Sequence, residues 1–164
     1  MSKVRLCTSE DFGPMLELAH LMHQESPVYR DLPLERDKLL DLAHTSLSFP
    51  DLATLLVVAS NGQITGMLGA VAATEYFGPA ITTCDLFLYV HPEQRGSSAA
   101  LRLIKTYQKW AEDIGAIRIN LGITTGLFLN ETGRLYEAAG FKHSGHLYTR
   151  INPNGHLKTQ SQHS

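Results

Sequence analysis

The sequence predicts an α/β (α+β) domain in which a mixed, mostly antiparallel central sheet is flanked by helices on both faces. Three observations carry this. The apolar runs ATLLVVAS and QITGMLGAVAATEYF flank Asn61 and Gly62, a pair suited to the left-handed backbone of a tight hairpin turn. A third run, AITTCDLFLYV, rich in β-branched and aromatic residues, follows directly, so three antiparallel strands come in succession. Beyond it Ala100, Leu103, Ile104, Tyr107, Trp110, Ala111 and Ile114 recur at helical spacing as far as Gly115. A helix in that position makes the strands before and after it parallel neighbours.

Taken in order, a short alternation over residues 4–7 reads as a strand, and Thr8 or Ser9 can cap the helix that follows to about residue 24. The stretch ESPVYRDLP breaks that helix, and LERDKLLDLAHTSL forms a second, ending before Pro50. The three strands and the long helix, expected from near Gly96 to Gly115, come next. IRINLGI then reads as a strand, NETGRLYEAAGF as a short helix stopped by Gly140, and HLYTRI as a last strand. The expected order is β-α-α-β-β-β-α-β-α-β, with one domain over residues 1–151 and a polar tail over 152–164.

With 164 residues, 43% hydrophobic and 18% charged, the chain has the composition of an ordinary globular domain. A net charge of -2 argues against general attraction to duplex DNA or to an acidic membrane surface, though a local basic patch stays open. Cys7 and Cys84 are too few for a disulfide framework and have no zinc-site spacing, and no apolar run has the length of a membrane span. A cytoplasmic, soluble protein is the expectation. His20 and His23 lie three apart, but no carboxylate completes a metal set, so no metal is expected. Cys84 lacks a Cys-His-Asp arrangement, and Tyr107 and Trp110 read as core.

The junction HPEQRGSSAALRL lies between the third long strand and the long helix, where ligands of such sheets sit. A helix start presents unpaired amides and a partial positive charge, and small residues at Gly96, Ser97, Ser98, Ala99 and Ala100 let a phosphate approach them, with Arg95 adding charge. The plainer alternative is that a serine caps the helix and Arg95 is solvated. No Lys-Ser/Thr pair follows the glycine, which removes a nucleotide-hydrolysing loop, and the three glycines of a dinucleotide fold are missing. A diphosphate held without metal or hydrolysis remains.

LYVHPEQRGSSAALRLIKTYQKWAEDIGA resembles the acyl-coenzyme A motif of the GNAT N-acetyltransferase superfamily, Gln/Arg-x-x-Gly-x-Gly/Ala after a strand ending in Val-x-Pro. Arg95 matches its first position and Ala100 its last, while Ser98 stands where the family usually has glycine. NETGRLYEAAGF is similar to the second family signature, with Tyr136 and Gly140-Phe141 at the family's spacing and Asn130 one residue nearer to Tyr136 than usual. The stretch also resembles GNAT proteins encoded by tailed phages.

The resemblance implies acetyl-CoA as acyl donor and an amine as acceptor, attacked directly in a ternary complex. It implies that the backbone of Leu88, Tyr89 and Val90 pairs with the pantetheine arm in a gap between splayed strands, with Asn130 a further contact. Tyr136 matches the general acid, which its ordinary phenol pKa keeps protonated, although helical spacing equally allows a core aromatic. Relatives often place a glutamate on the strand after the long helix, but IRINLGITTG has no carboxylate. Asp85, flanked by apolar residues, is the nearest candidate base, with a pKa raised by burial. Glu25, in the loop that borders the acceptor site in the family, is the other, acting through a water; Glu25, Ser26 and Tyr29 can instead select the substrate. A small-molecule or protein amine is the expected acceptor, a nucleobase amine or a non-catalytic acyl-CoA-binding module the alternatives, and a homodimer a family-level expectation.

Overall fold

In the computed structural model, which describes residues 2–157, a five-stranded sheet runs in the order β1 (Lys3–Leu6), β2 (Ala53–Ser60), β3 (Gln63–Thr74), β4 (Ile81–Val90) and β5 (Arg118–Asn120). The first four strands are antiparallel and β5 is parallel to β4, as a crossover through a helix requires. Four helices complete the fold: α1 (Phe12–Glu25), α2 (Arg36–Ser48), α3 (Ala99–Asp113) and α4 (Leu129–Ala138). Asn61 and Gly62 both adopt the left-handed backbone of a two-residue turn joining β2 to β3.

The run ATLLVVAS is apolar throughout because both faces of β2 are covered. Leu55 and Val57 pack with Met15, Leu18, Ala19 and Met22 of α1 and Ala43 of α2, while Leu56 and Val58 pack with Ala99, Leu103 and Tyr107 of α3. β4 alternates in the same way, sending Phe87 and Tyr89 to the α1–α2 face and Leu88 and Val90 to the α3 face.

Two expectations are corrected. The strand expected over residues 117–123 ends at Asn120, because the Gly122 amide and the Thr124 hydroxyl turn to the Asp85 side chain and the Leu86 carbonyl instead of extending the ladder. The last strand, expected over residues 146–151, does not form, and among the described residues none after Ala138 belongs to a strand. HLYTRI has strand-forming residue types, but Leu147, Tyr148 and Ile151 are 90%, 88% and 78% exposed, and strand preference is expressed through packing on a covered face that these residues lack. Residues 152–157 of the expected tail are exposed and irregular; the rest of that tail lies outside the described residues.

Candidate active site

A bulge in β4 creates the site. Gly69 of β3 pairs with Phe87 and the next residue, Ala70, with Asp85, so Leu86 is an extra residue in β4. Bulges bend a strand and re-aim its side chains. β4 and β5 pair only through Thr82–Cys84 and Arg118–Asn120, and past the bulge they diverge. The gap holds a cavity of about 400 Å³ lined by Leu88, Val90, Arg95, Gly96, Gly122 and Tyr136, among others. The His91 amide donates to the Thr65 carbonyl of the β3 side, so by alternation the backbone groups of Leu88 and Val90 turn to the gap. Tyr89 turns its backbone to β3, and its ring lines the cavity from the α1–α2 face.

At the end of β4 a single 3-10 turn, Pro92–Gln94, leads to α3. Gly96 is left-handed with φ 82°, the one position in the loop that favours glycine. Ser98, standing where the motif usually has glycine, has φ -76° and ψ 4°, angles any residue accepts. The Ser97 hydroxyl accepts from the Ala99 amide at 3.3 Å, so Ser97 caps α3. Among the described residues, the Gly96 and Ser98 amides have no protein partner. Ser97, Ala100, Leu88, Tyr89 and Val90 line the cavity, whereas Ser98 and Ala99 stand behind the loop and Asn130 is exposed outside the lining.

Arg95 is held by protein groups and only partly exposed. Its guanidinium makes two hydrogen bonds of 2.6 Å to the Glu25 carboxylate, donates from Nε to the Val90 carbonyl at 3.2 Å, and lies over the rings of Tyr89 and Phe128 at 5.4 and 5.1 Å. The Tyr89 hydroxyl donates to the same carboxylate at 2.7 Å. The Arg95 guanidinium, and after it the Tyr89 hydroxyl, hold the Glu25 carboxyl below its usual range against the opposing effect of burial. Glu25 itself does not line the gap; it reaches it through Arg95 and Tyr89.

Asp85 and Tyr136 meet at one residue. The Asp85 Oδ1 accepts from the Gly122 amide at 2.7 Å, and the Tyr136 hydroxyl donates to the Gly122 carbonyl at 2.8 Å. Asp85 is 2% exposed and its Oδ2 is buried with no hydrogen-bond partner. Burial pushes its pKa up to about 6, with the Gly122 amide opposing. Burial, and then the Asp85 charge, push the Tyr136 phenol above its ordinary value. On the far side of Asp85, the Tyr107 hydroxyl donates to the Asn120 carbonyl at 2.8 Å and pairs with the Thr83 hydroxyl at 2.9 Å. Partial burial, and then Asp85, raise the Cys84 thiol, the opposite of an activated nucleophile.

Sequence reasoning missed the far wall of the gap, built by Thr124, Thr125, Leu127 and Phe128. Ser26, fully buried in the loop after α1, donates its hydroxyl to the Thr125 carbonyl at 2.6 Å and ties that loop to the wall. The clue in the sequence was the glycine-threonine cluster GITTG, since a strand with two glycines so close together is a poor ladder partner. Among the described residues, no group of three or more His, Cys, Asp or Glu could hold a metal ion, and no helix is long and apolar enough to cross a membrane.

Solved structures with the same fold include glucosamine-6-phosphate N-acetyltransferase from Arabidopsis thaliana, at a TM-score of 0.72 and 14% identity over 92% of this chain and 98% of that one. Ribosomal-protein-alanine N-acetyltransferase from Brucella melitensis superposes with a TM-score of 0.69 and 18% identity over 92% and 99% of the two chains. AAC(6')-Iy in complex with the bisubstrate analog CoA-S-monomethyl-acetylneamine does so with a TM-score of 0.72 and 15% identity over 93% and 98%. At these identities the likeness is one of fold. No curated protein sequence matches the chain. A sequence model of the acetyltransferase (GNAT) family matches residues 16–141, which contain the bulge, the loop before α3 and Tyr136, and the chain therefore belongs to the acetyltransferase (GNAT) family.

Proposed function

We propose that the protein is an acetyl-CoA-dependent N-acetyltransferase that transfers the acetyl group to a primary amine by direct attack in a ternary complex. The observation that carries this reading is the gap between β4 and β5, whose 400 Å³ cavity runs from the Gly122–Tyr136 contact to the start of α3. Its residues fit the coenzyme. Leu88 and the Val90 amide offer strand-edge groups to an extended amide-bearing arm, and Gly96 offers its unpaired amide to a pyrophosphate at a helix N-terminus. When bound, acetyl-CoA supplies an activated acetyl thioester.

The chain's own residues handle the protons. Tyr136, protonated at neutral pH, lines the cavity, and its one hydroxyl proton, held by the Gly122 carbonyl in the free protein, turns from that carbonyl to the departing sulfur. Asp85, with a pKa of about 6, is largely ionised at pH 7 and still basic enough to take the amine's proton; it does not line the cavity but adjoins it through the Gly122 amide, and we assign it the base role with its unpartnered Oδ2 as acceptor. Glu25, which the sequence offers as a second base, has both oxygens engaged by Arg95, and we give it a positioning role: it fixes Arg95 at the mouth of the gap.

Acetyl-CoA is expected to raise the melting temperature, and thiol release is expected to depend on added primary amine. Tyr136→Phe is expected to lower kcat by about 100-fold while keeping the acetyl-CoA-induced shift. Binding with no turnover for any amine, unchanged by Tyr136→Phe, would establish a non-catalytic acyl-CoA-binding module instead.

A further inference from the structure

We infer that the amine acceptor of this acetyltransferase is a small molecule bearing an aryl or branched-alkyl group, seated in a second cavity on the α1–α2 face. This rests on the reading above and extends it from reaction to substrate class. The cavity measures about 370 Å³ and is bounded by Met22 and His23 of α1, by Tyr29, Leu32 and Leu34 of the loop between α1 and α2, and by Leu86 of the β4 bulge, with further apolar residues behind them.

Its position links it to the reaction. Leu86 is the extra residue of the bulge and lines this cavity, and its carbonyl accepts a hydrogen bond of 3.0 Å from Thr124, which lines the coenzyme gap. Leu86 and the Thr124 side chain that its carbonyl holds therefore stand between the two cavities, where β4 and β5 diverge. An amine carried on a short alkyl linker from a group seated against Leu86 is directed past Thr124 toward the gap.

Its chemistry selects the class. No Asp, Glu, Lys or Arg lines it. Its polar members are His23 and Tyr29, and the His23 Nε2 is already engaged by the Leu32 carbonyl at 2.5 Å. A phosphate, a second ammonium or a ring of hydroxyls placed here would lose its water and find no opposite charge and few partners beyond the Tyr29 hydroxyl, whereas an aryl or branched-alkyl group loses nothing polar.

Its wall is fixed, which favours a compact ligand over an extended chain. The Ser26 hydroxyl donates to the Thr125 carbonyl and accepts from the Val28 and Tyr29 amides, both at 3.2 Å, so the loop is pinned across the rim by a buried side chain. The volume lies at the lower end of the range for small-molecule sites, about 300–1,000 Å³.

Acetyl-CoA turnover with 2-phenylethylamine, isoamylamine, methylamine, glucosamine 6-phosphate, an aminoglycoside and a lysine peptide tests the inference. The first two are expected to show kcat/KM about 10–100-fold above methylamine and above the polar acceptors. Leu34→Glu, at a position already 39% exposed, is expected to cut kcat/KM for 2-phenylethylamine at least 10-fold while the acetyl-CoA-induced rise in melting temperature is kept. That retained rise also shows that the variant folds. Absence of any acetyl-CoA-induced rise in the unaltered protein would overturn both the function and the substrate class. An intact rise with a preference for a polar acceptor or the peptide would overturn the substrate class alone. So would failure of 2-phenylethylamine either to be acetylated or to stabilise the CoA-saturated protein.

Discussion

Asp85 is a carboxyl group that the fold keeps from water and supplies with one amide. Its pKa of about 6 stands against an ordinary 3.8, so between these values the folded chain holds a proton that the unfolded chain has lost. Stability therefore falls as pH rises from about 4 to about 6, by up to about 3 kcal/mol. Asp85→Asn is expected to remove this fall, which thermal melts across that window would reveal. The same substitution is expected to lower kcat/KM and to abolish its acidic limb near pH 6, a change that a purely structural carboxylate would not produce. The burial of Asp85 was legible in DLFLYV, where apolar neighbours surround it. That its partner is the Gly122 amide, shared back to back with Tyr136, was not legible, because the two lie on separate elements joined only by the turn of the chain after β5.

At the scale of elements, the Arg95–Glu25 pair joins the end of α1 to the loop before α3 across 70 positions of sequence. Both side chains keep about 30% of their exposure, so solvent screens the pair and its worth is discounted to about 1 kcal/mol. Because Arg95 lowers the Glu25 pKa, this stabilisation is complete above the ordinary value of 4.5 and fades as pH falls below it. Glu25→Gln is expected to lower the melting temperature modestly at pH 7 and progressively less below pH 4.5; an unchanged difference at low pH would mean that the ion pair is not its source. A second element-level constraint lies at Gly126, where φ is 69° and an added Cβ would sit 2.9 Å from Val28 Cγ2. The wall of the gap and the loop after α1 approach so closely there that a side chain would have to displace Val28 as well as accept a left-handed backbone. Neither contact has a local signature, since each depends on where distant segments meet.

For the whole molecule, the sheet's two apolar faces account for the burial of the chain from β1 to α4, and the segment after Phe141 contributes no described strand. Paired substitution of Leu147→Ser and Tyr148→Ser is accordingly expected to change the stability by less than about 0.5 kcal/mol, as at other exposed positions. A larger loss in chemical denaturation would mean that these residues pack in solution. The β2-β3-β4 succession and the parallel β4–β5 pair were readable in advance because apolar strand runs, a hairpin pair and an amphipathic crossover helix are local signals that agree with one another, whereas the place of β1 beside β2 was not. The last strand was misread for the complementary reason: HLYTRI has the local signal, but β5 ends at Asn120 and leaves no long edge for it to join.

By itself the sequence determined which segments are helix and strand through most of the chain, and it determined the small-residue loop before α3, because these follow from periodicity, turn chemistry and residue size. It marked Ser98 as the departure from the family's glycine, and the structure gives that position φ -76° and ψ 4°, angles open to serine. Tertiary structure alone decided the extra residue at Leu86, the gap it opens, the capture of Arg95 by Glu25 and the apolar cavity beyond the bulge. Each of these arises where residues far apart in the chain compete for the same space or the same charge, and a register shift of one residue is enough to settle the competition.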